Sequence, residues 1–195
     1  MSDLVIGDDG RPRCPWAVAT PDYRAYHDDE WGRPVHGDLP LFERLTLEAF
    51  QSGLSWLTIL RKRAAFRRAF DGFDPDVVAA YGRADLDRLL ADEGIVRNRA
   101  KVAAAITNAR ALQALRRAEG DGALDALVWR HAPGPRPRPA ALADVPARTP
   151  ESTSLARALK AAGFVFVGPT TAYATMQACG LVDDHLAGCA VPFDG

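Results

Sequence analysis

The sequence predicts an all-α protein, and three observations support this prediction. Apolar residues recur at helical spacing along almost the whole chain. Several of these stretches begin at residues that favour helix starts, such as Ser55 and the pair Asp74 and Pro75. The one strand-like run, Phe164 to Val167, is too short and isolated to build a sheet.

The first half of the chain contains helices of varied length. Leu41, Leu45 and Phe50 begin the pattern, which stops at Gly53, and Ser55 is placed to cap the next helix. Proline at position 75 suits a helix start because the first helical turn needs no donor there. Gly94 interrupts the pattern before a long helix. The predicted helices span about 41–52, 56–71, 75–81, 85–92 and 98–118.

The second half contains a proline-rich interruption. A helix is predicted at about 122–131, followed by residues 133–150, which hold six of the 14 prolines and predict an extended surface loop. Ser152 to Ser154 are predicted to cap a helix that ends near 162. Pro169 then begins a last helix that ends at Gly180.

Composition narrows the class of protein. With 195 residues, 48% hydrophobic and 25% charged, the chain is neither disordered nor membrane-spanning. Its N-terminus lacks a signal pattern and its three cysteines are widely separated, so we expect a cytoplasmic protein with thiols or metal ligands. The net charge of −1 is weak evidence against a nucleic-acid partner, because basic residues cluster at 61–68 and at 97–101.

Four residues carry the side chains that zinc prefers. Cys14 and His27 are separated by twelve residues, and His185 and Cys189 by three. Two thiolates and two imidazoles would make a closed, structural zinc site that joins the ends of the chain. Spacing alone favours the alternative that Cys14 is an ordinary thiol and His27 a surface residue. Cys179 is expected in the core.

Aromatic residues surround one carboxylate in the first third of the chain. Glu48 lies in an otherwise apolar stretch, where a charge needs a partner or a function. Aromatic faces with one acceptor carboxylate suit a planar, electron-poor base, such as a cationic purine. Alternatively, the aromatics are core residues and Glu48 pairs with Arg44. The aromatic residues concerned are Trp16, Tyr23, Tyr26, Trp31 and Trp56.

Five motifs give the chain a resemblance to the 3-methyladenine DNA glycosylase I family, in order and separation, over about residues 13–190. They are Cys14-Pro15-Trp16, Tyr26 to Gly32, Glu48 to Trp56, Gly163 to Gly168 and Met176 to His185.

The resemblance implies a fold and a set of site residues. The fold is a helix-hairpin-helix DNA glycosylase bundle, with residues 1–12 a flexible segment and 13–195 one domain. The structural zinc would bind Cys14, His27, His185 and Cys189. The base pocket falls on Glu48, Tyr26, Trp56 and Trp16, with Glu48 the catalytic residue. DNA contacts fall on Leu54, Gly94, Arg97, Arg99 and Lys101.

The chain departs from patterns common in this superfamily. The second hairpin glycine is replaced by Val96, a nucleophilic lysine by Asn98, and residues 113–120 contain no aspartate. Ala174 stands where the family has a characteristic serine, which removes one hydroxyl from the pocket. Leu54 is either a wedge that fills the gap left by a flipped nucleotide or a buried core residue.

The activity implied is excision of 3-methyladenine from alkylated double-stranded DNA by a monofunctional, monomeric glycosylase with no membrane partner. No lysine is available in the hairpin to form a Schiff base. Two alternatives are a zinc-stapled DNA-binding module without catalysis and a hydrolase of small N-glycosides. The pairing of Glu48 with Trp56 argues against the first, and the basic hairpin argues against the second.

Overall fold

The computed structural model describes residues 3–192, which form a mostly helical protein, as the sequence predicts. Residues 1–2 and 193–195, which belong to the predicted N-terminal segment and domain, lie outside the described part. The helices are α1 (Pro21–Asp29), α2 (Asp38–Gln51), α3 (Trp56–Ala69), α4 (Pro75–Ala79), α5 (Arg83–Ala91), α6 (Arg99–Glu119), α7 (Ala123–Trp129), α8 (Pro150–Ala161) and α9 (Pro169–Ala178).

Polar caps begin several of these helices. Ser55 accepts a hydrogen bond from the Thr58 amide at the start of α3, and Asp74 caps α4, as predicted. Helix α1 is missing from the sequence prediction. Its signal was present, because Thr20 caps the helix and Pro21 occupies its first position. A helix of nine residues shows too little apolar periodicity to be recognised by pattern alone.

The start of one predicted helix is wrong, whereas the one strand-like run builds no sheet, as the sequence predicts. Helix α8 begins at Pro150, because Thr149 and not one of the serines at 152–154 caps it. Phe164 to Val167 form no strand but connect α8 to α9. The backbone of Val165 instead pairs with the Asn108 side chain, which donates to its carbonyl and accepts from its amide. The Asn108 side chain, on α6, thus takes the place of the partner strand that this run lacks.

The N-terminal segment is tied to the rest of the chain, where the sequence predicts a flexible segment. Strand β1 (Val5–Ile6) pairs antiparallel with β2 (Pro12–Arg13). The Arg13 guanidinium is buried and donates to both Asp9 and Asp28. Because Asp28 belongs to α1, this double ion pair joins the hairpin to the first helix.

One large apolar core supports the site. Helix α2 lies at its centre and packs against α3, α6, α7 and α9, while α8 packs on α9. A second, small cluster joins the two ends of the chain through Cys14, Leu186, Cys189 and Val191. This arrangement places α1, the end of α2, the start of α3 and α9 around a common space. Within residues 3–192, no helix is long and apolar enough to span a membrane.

Candidate functional site

A cavity of about 400 Å³ opens between these helices. It contains every residue that the sequence assigns to the base pocket, together with Tyr23 and Trp31. It also contains Ala174, the position where the expected hydroxyl is absent. The lining residues are Trp16, Tyr23, Tyr26, Trp31, Glu48, Gln51, Trp56, Leu142, Val145, Ala174, Gln177 and Asp184.

Glu48 is the buried acid of this cavity, with a relative exposure of 6%. Within the described chain its carboxylate has neither a hydrogen bond nor an ion pair. Arg44 is directed to Glu30 instead, 3.1 Å away, so the expected alternative of a Glu48–Arg44 ion pair is not what the structure contains. Burial raises the pKa of Glu48 to about 8, opposed by the nearby charge of Arg44. An acid with free acceptor atoms therefore faces the cavity.

Aromatic rings form the walls beside this carboxylate. The Tyr26 and Trp56 rings are 5.3 Å apart, inclined by 42°. Trp16 meets Tyr23 and Trp31 edge to face. The indole nitrogen of Trp56 is buried and has no hydrogen-bond partner in residues 3–192, so it is a donor still available to a ligand.

The proline-rich loop reaches the same cavity, although the sequence predicts only an extended surface loop. A short 3₁₀ turn at Leu142–Asp144 brings Leu142 and Val145 to the rim. The loop is held in place by Arg138, which donates to Asp183 and to the Val191 carbonyl. Sequence reasoning missed these rim residues because contacts between distant segments leave no local pattern.

Sequence reasoning also missed Gln51, Gln177 and Asp184 as lining residues. Gln177 lies three residues after Ala174 on α9, a spacing that places both on one helix face. A further signal was available, because all three residues lie within the motifs Glu48 to Trp56 and Met176 to His185.

The four predicted metal ligands come together beside the cavity. The ligand atoms of Cys14, His27 and Cys189 all lie within 4.8 Å of one another. His185 is next to them, with its ring 4.9 Å from that of His27. Its Nε2 atom is buried without a hydrogen-bond partner in the described chain. A buried imidazole nitrogen without a partner, beside this cluster, is what a further metal ligand would present.

Carboxylates orient both imidazoles. Nδ1 of His27 lies 2.8 Å from Asp28 Oδ1, and Nδ1 of His185 lies 3.0 Å from Asp183 Oδ1. Such contacts fix the ring orientation and leave Nε2 for a metal. Gly32 permits this packing, because a Cβ there would come within 2.8 Å of the His185 ring. Cys14, His27 and Cys189 therefore fit a metal-binding cluster, with His185 beside it.

The residues predicted to form the hairpin lie in the turn between α5 and α6. Gly94 packs against Ala65 of α3, where a Cβ would approach to 3.0 Å, and its amide donates to Asp92. That amide is thus already used within the turn, and the DNA contact of Gly94 stays a prediction. The amides of Val96 and Arg97 have no hydrogen-bond partner in residues 3–192. Asn98 caps α6, which accounts for an amide side chain at this position.

The charges of the hairpin do not all face solvent. Arg97 and Arg99 are exposed, with weak pairs to Glu93 and Asp87. Lys101 is buried, which argues against the predicted contact with DNA. Its ammonium donates to the carbonyls of Phe50 and Ser52 at 2.9 and 2.5 Å. These carbonyls lie at the end of α2, where no helical amide donates to them. The Lys101 ammonium supplies the missing hydrogen bonds and is therefore not available to a phosphate.

The turn after α2 exposes Leu54. Its relative exposure is 41%, so the alternative of a buried core leucine is wrong. Gly53, with φ of +79°, makes the turn that carries it outward.

The second basic cluster, at 61–68, is largely paired within the protein. Arg61 binds Asp22, Arg63 binds Glu30 and Arg67 binds Glu43. Lys62 donates to the carbonyls of Glu93 and Gly94 and so supports the hairpin.

Comparisons with known proteins agree with one another. A profile of the family described as methyladenine glycosylase matches residues 16–192. DNA-3-methyladenine glycosylase 1 of Escherichia coli is 46% identical over 180 residues, which are 91% of this chain and 95% of that protein. A crystal structure of a 3-methyladenine DNA glycosylase I has a TM-score of 0.86 at 46% identity and covers 91% of this chain and 98% of its own.

A second similar structure is that of 3-methyladenine DNA glycosylase I from Staphylococcus aureus, which describes how that protein recognises 3-methyladenine. Its TM-score is 0.83 at 35% identity, and the match covers 92% of this chain and 96% of that chain. The likeness therefore extends over the fold as well as the sequence.

Proposed function

The chain belongs to the methyladenine glycosylase family, and from this premise we propose that it excises 3-methyladenine from alkylated DNA. It hydrolyses the N-glycosidic bond after the damaged nucleotide has been flipped out of the duplex. The observation that carries this proposal is the buried, unpartnered carboxylate of Glu48 in a cavity walled by aromatic rings.

The substrate's charge explains what the cavity supplies. In DNA, 3-methyladenine is cationic, so its glycosidic bond is already weak and the base departs neutral. A strong general acid is therefore unnecessary. A cavity that complements the cation favours the damaged base over adenine, which lacks the charge and has a stronger bond.

Each pocket residue has a specific role. Trp56 stacks on the flipped base and Glu48 accepts a hydrogen bond from its exocyclic amino group. Tyr26 and Trp16 complete the aromatic enclosure. Bringing the cation beside Glu48 favours the ionised carboxylate, because an opposite charge offsets the burial that raises its pKa to about 8.

DNA binding is assigned to the two helices α5 and α6 and the turn between them, as a helix-hairpin-helix motif. Free amides at Val96 and Arg97 suit a phosphate group, and the exposed Arg97 and Arg99 add positive charge. Leu54, exposed on the turn after α2, is suited to fill the gap left by the flipped nucleotide.

The metal is proposed to be one zinc ion with a structural role. Cys14, His27, His185 and Cys189 would complete its tetrahedral shell and leave no position for a reacting water. The ion would tie the N-terminal segment to the C-terminal segment, beside the cavity but outside it. It supplies rigidity and takes no part in the chemical step.

Three further properties belong to the proposal. The enzyme is monofunctional, because the hairpin position of a nucleophilic lysine holds Asn98, which caps α6. It acts as a monomer, with residues 13–195 as one domain. None of its three cysteines forms a disulfide, which suits the cytoplasm.

The proposal is tested by base release from alkylated duplex DNA. Purified protein should liberate 3-methyladenine, identified by chromatography, and Glu48→Gln should release it more slowly. A matched control is Glu119→Gln, which changes an exposed acid at the end of α6. Binding of duplex DNA without release of any base would favour the alternative of a non-catalytic DNA-binding module.

A further inference from the structure

The cavity has a second polar wall that the proposed chemistry does not use. Gln177 and Asp184 line it together with Ala174 and Glu48. Asp184 is buried, with a relative exposure of 4%, and Gln177 is half-buried. Buried polar groups at the wall of a binding cavity are costly unless they are paired or serve recognition.

Three donors surround the Asp184 carboxylate. Arg136 forms an ion pair with Oδ1 at 2.5 Å. The Tyr173 hydroxyl and the Gln177 side-chain nitrogen Nε2 donate to Oδ2, at 2.6 and 2.8 Å. Arg136 also donates to the Tyr173 hydroxyl. The carboxylate is therefore held from several directions by α9 and the proline-rich loop.

This network fixes the orientation of the Gln177 amide. A carboxylate paired with arginine accepts hydrogen bonds and donates none, so the amide must present its nitrogen to Asp184. The reversed amide would place Oε1 against Oδ2, oxygen against oxygen. The remaining atom, Oε1, has no hydrogen-bond partner in residues 3–192.

We infer that Gln177 is a specificity-determining residue whose Oε1 accepts a hydrogen bond from the amino group of 3-methyladenine. Asp184 is the positioning residue that keeps this oxygen available to the cavity. Ala174, on the same face of α9, carries no acceptor in its side chain. The inference rests on the proposed function and adds Gln177 to Glu48 as a second residue that recognises the same base.

The chemistry of the amino group explains the discrimination. An exocyclic amino group offers two N–H donors, so Glu48 and Gln177 can each accept one. A purine with a carbonyl oxygen at that position offers an acceptor instead. That base would meet the Gln177 oxygen with an oxygen of its own, and two unpaired acceptors are unfavourable in a desolvated cavity.

The test compares two free bases that differ at this position. Isothermal titration calorimetry measures Kd for 3-methyladenine and for 3-methylhypoxanthine, which carries the carbonyl. Gln177→Met removes the amide with little change in volume. It should reduce the ratio of the Kd for 3-methylhypoxanthine to the Kd for 3-methyladenine about tenfold. Gln113→Met makes the same change at a half-buried position of α6 outside the cavity, where the amide donates to Asp76, and should leave the ratio unchanged.

Asp184→Asn probes the positioning role. An amide at 184 can donate to Gln177 Oε1, which turns the Gln177 nitrogen toward the cavity. This variant should bind 3-methyladenine more weakly and 3-methylhypoxanthine more tightly. A merely structural effect would weaken binding of both bases equally. Because His185 adjoins this position, metal content and the thermal midpoint are measured in parallel. If Asp184→Asn does not fold, the Kd ratio of Gln177→Met alone tests the role of Gln177.

The outcomes separate this inference from the proposed function. If the parent protein binds 3-methyladenine and Gln177→Met keeps the parent ratio, the inference is overturned and the proposed function stands. If the parent protein binds neither base and releases none from DNA, both are overturned.

Discussion

Tyr26 and His27 are consecutive residues of α1, yet they serve different sites. Tyr26 lines the cavity and lies 5.3 Å from the Trp56 ring, whereas the His27 Nε2 atom lies 3.5 Å from the Cys189 sulfur. Neighbouring helical residues point about 100° apart, so one helix can supply both. Helix α1 therefore links the cluster of Cys14, His27 and Cys189 to the cavity wall.

Metal content is expected to depend on the four ligands. Protein purified without added metal should contain about one zinc per chain by elemental analysis. Cys14→Ser should lose the ion and lower the thermal midpoint, because the ends of the chain are then no longer joined. Cys179→Ala changes the third cysteine, which lies in the core, and should retain zinc. Full metal content in a Cys14/Cys189 double variant would contradict the assignment.

The buried Glu48 should make stability depend on pH. In the unfolded chain Glu48 loses its proton near the ordinary pKa of 4.5, whereas in the folded protein its pKa is about 8. Because the folded form keeps the proton longer, the free energy of unfolding should fall as pH rises from 4.5 to 8.

The variant Glu48→Gln lacks this titration. Its stability relative to the parent should rise by roughly 1–4 kcal/mol across that window, measured by denaturant unfolding at several pH values. Glu119→Gln is the control and should follow the parent curve. A difference between Glu48→Gln and the parent that is independent of pH would show that folding does not raise the pKa of Glu48.

Stacking on Trp56 should be measurable with the free base. Trp56→Ala should weaken 3-methyladenine binding by about 1–3 kcal/mol and slow base release by a comparable factor. Trp129→Ala changes a tryptophan outside the cavity lining and serves as the comparison. Zinc content should be unchanged in the Trp56 variant, which separates pocket damage from unfolding. If Trp56→Ala bound 3-methyladenine as tightly as the parent, Trp56 would be a packing residue and not a stacking partner of the base.

The hairpin arginines and Lys101 should behave differently. Replacing Arg97 and Arg99 by alanine should weaken binding to all duplexes and flatten its salt dependence, because each phosphate contact contributes about 0.9 to the slope. Lys101→Met should keep the parent slope but lower stability, since two carbonyls at the end of α2 lose their donor. Fluorescence anisotropy over a salt series measures both, and a flattened slope in Lys101→Met would contradict the burial argument.

The reaction should leave an abasic site without cutting the strand. Borohydride should trap no covalent enzyme–DNA adduct, because Asn98 stands at the lysine position and caps α6. Denaturing gel electrophoresis before and after alkali treatment distinguishes the two products. Strand cleavage without alkali, by protein free of contaminating lyase, would show that another amine acts as nucleophile.

The sequence by itself determined the helical class, most helix starts and the groups of residues that meet. These features are local: a capping side chain, a proline at the first helical position and a 3.6-residue period act within a few residues of each other. The chemistry of the four metal-type side chains and of the aromatic residues around Glu48 made them candidates, and the family resemblance decided between these candidates and their alternatives. The structure brings the first group into one cluster and the second into one cavity.

Only the tertiary structure decided which charges are free and which polar atoms face the cavity. Lys101 and Arg99 are two residues apart in sequence, yet one is buried against the end of α2 and the other faces solvent. Leu142 reaches the cavity rim from a loop that the sequence predicts to lie only on the surface. The orientation of Gln177 depends on Asp184 and, through it, on Arg136 of the proline-rich loop. Such pairings join segments far apart in the chain, so they arise from packing and not from any local pattern.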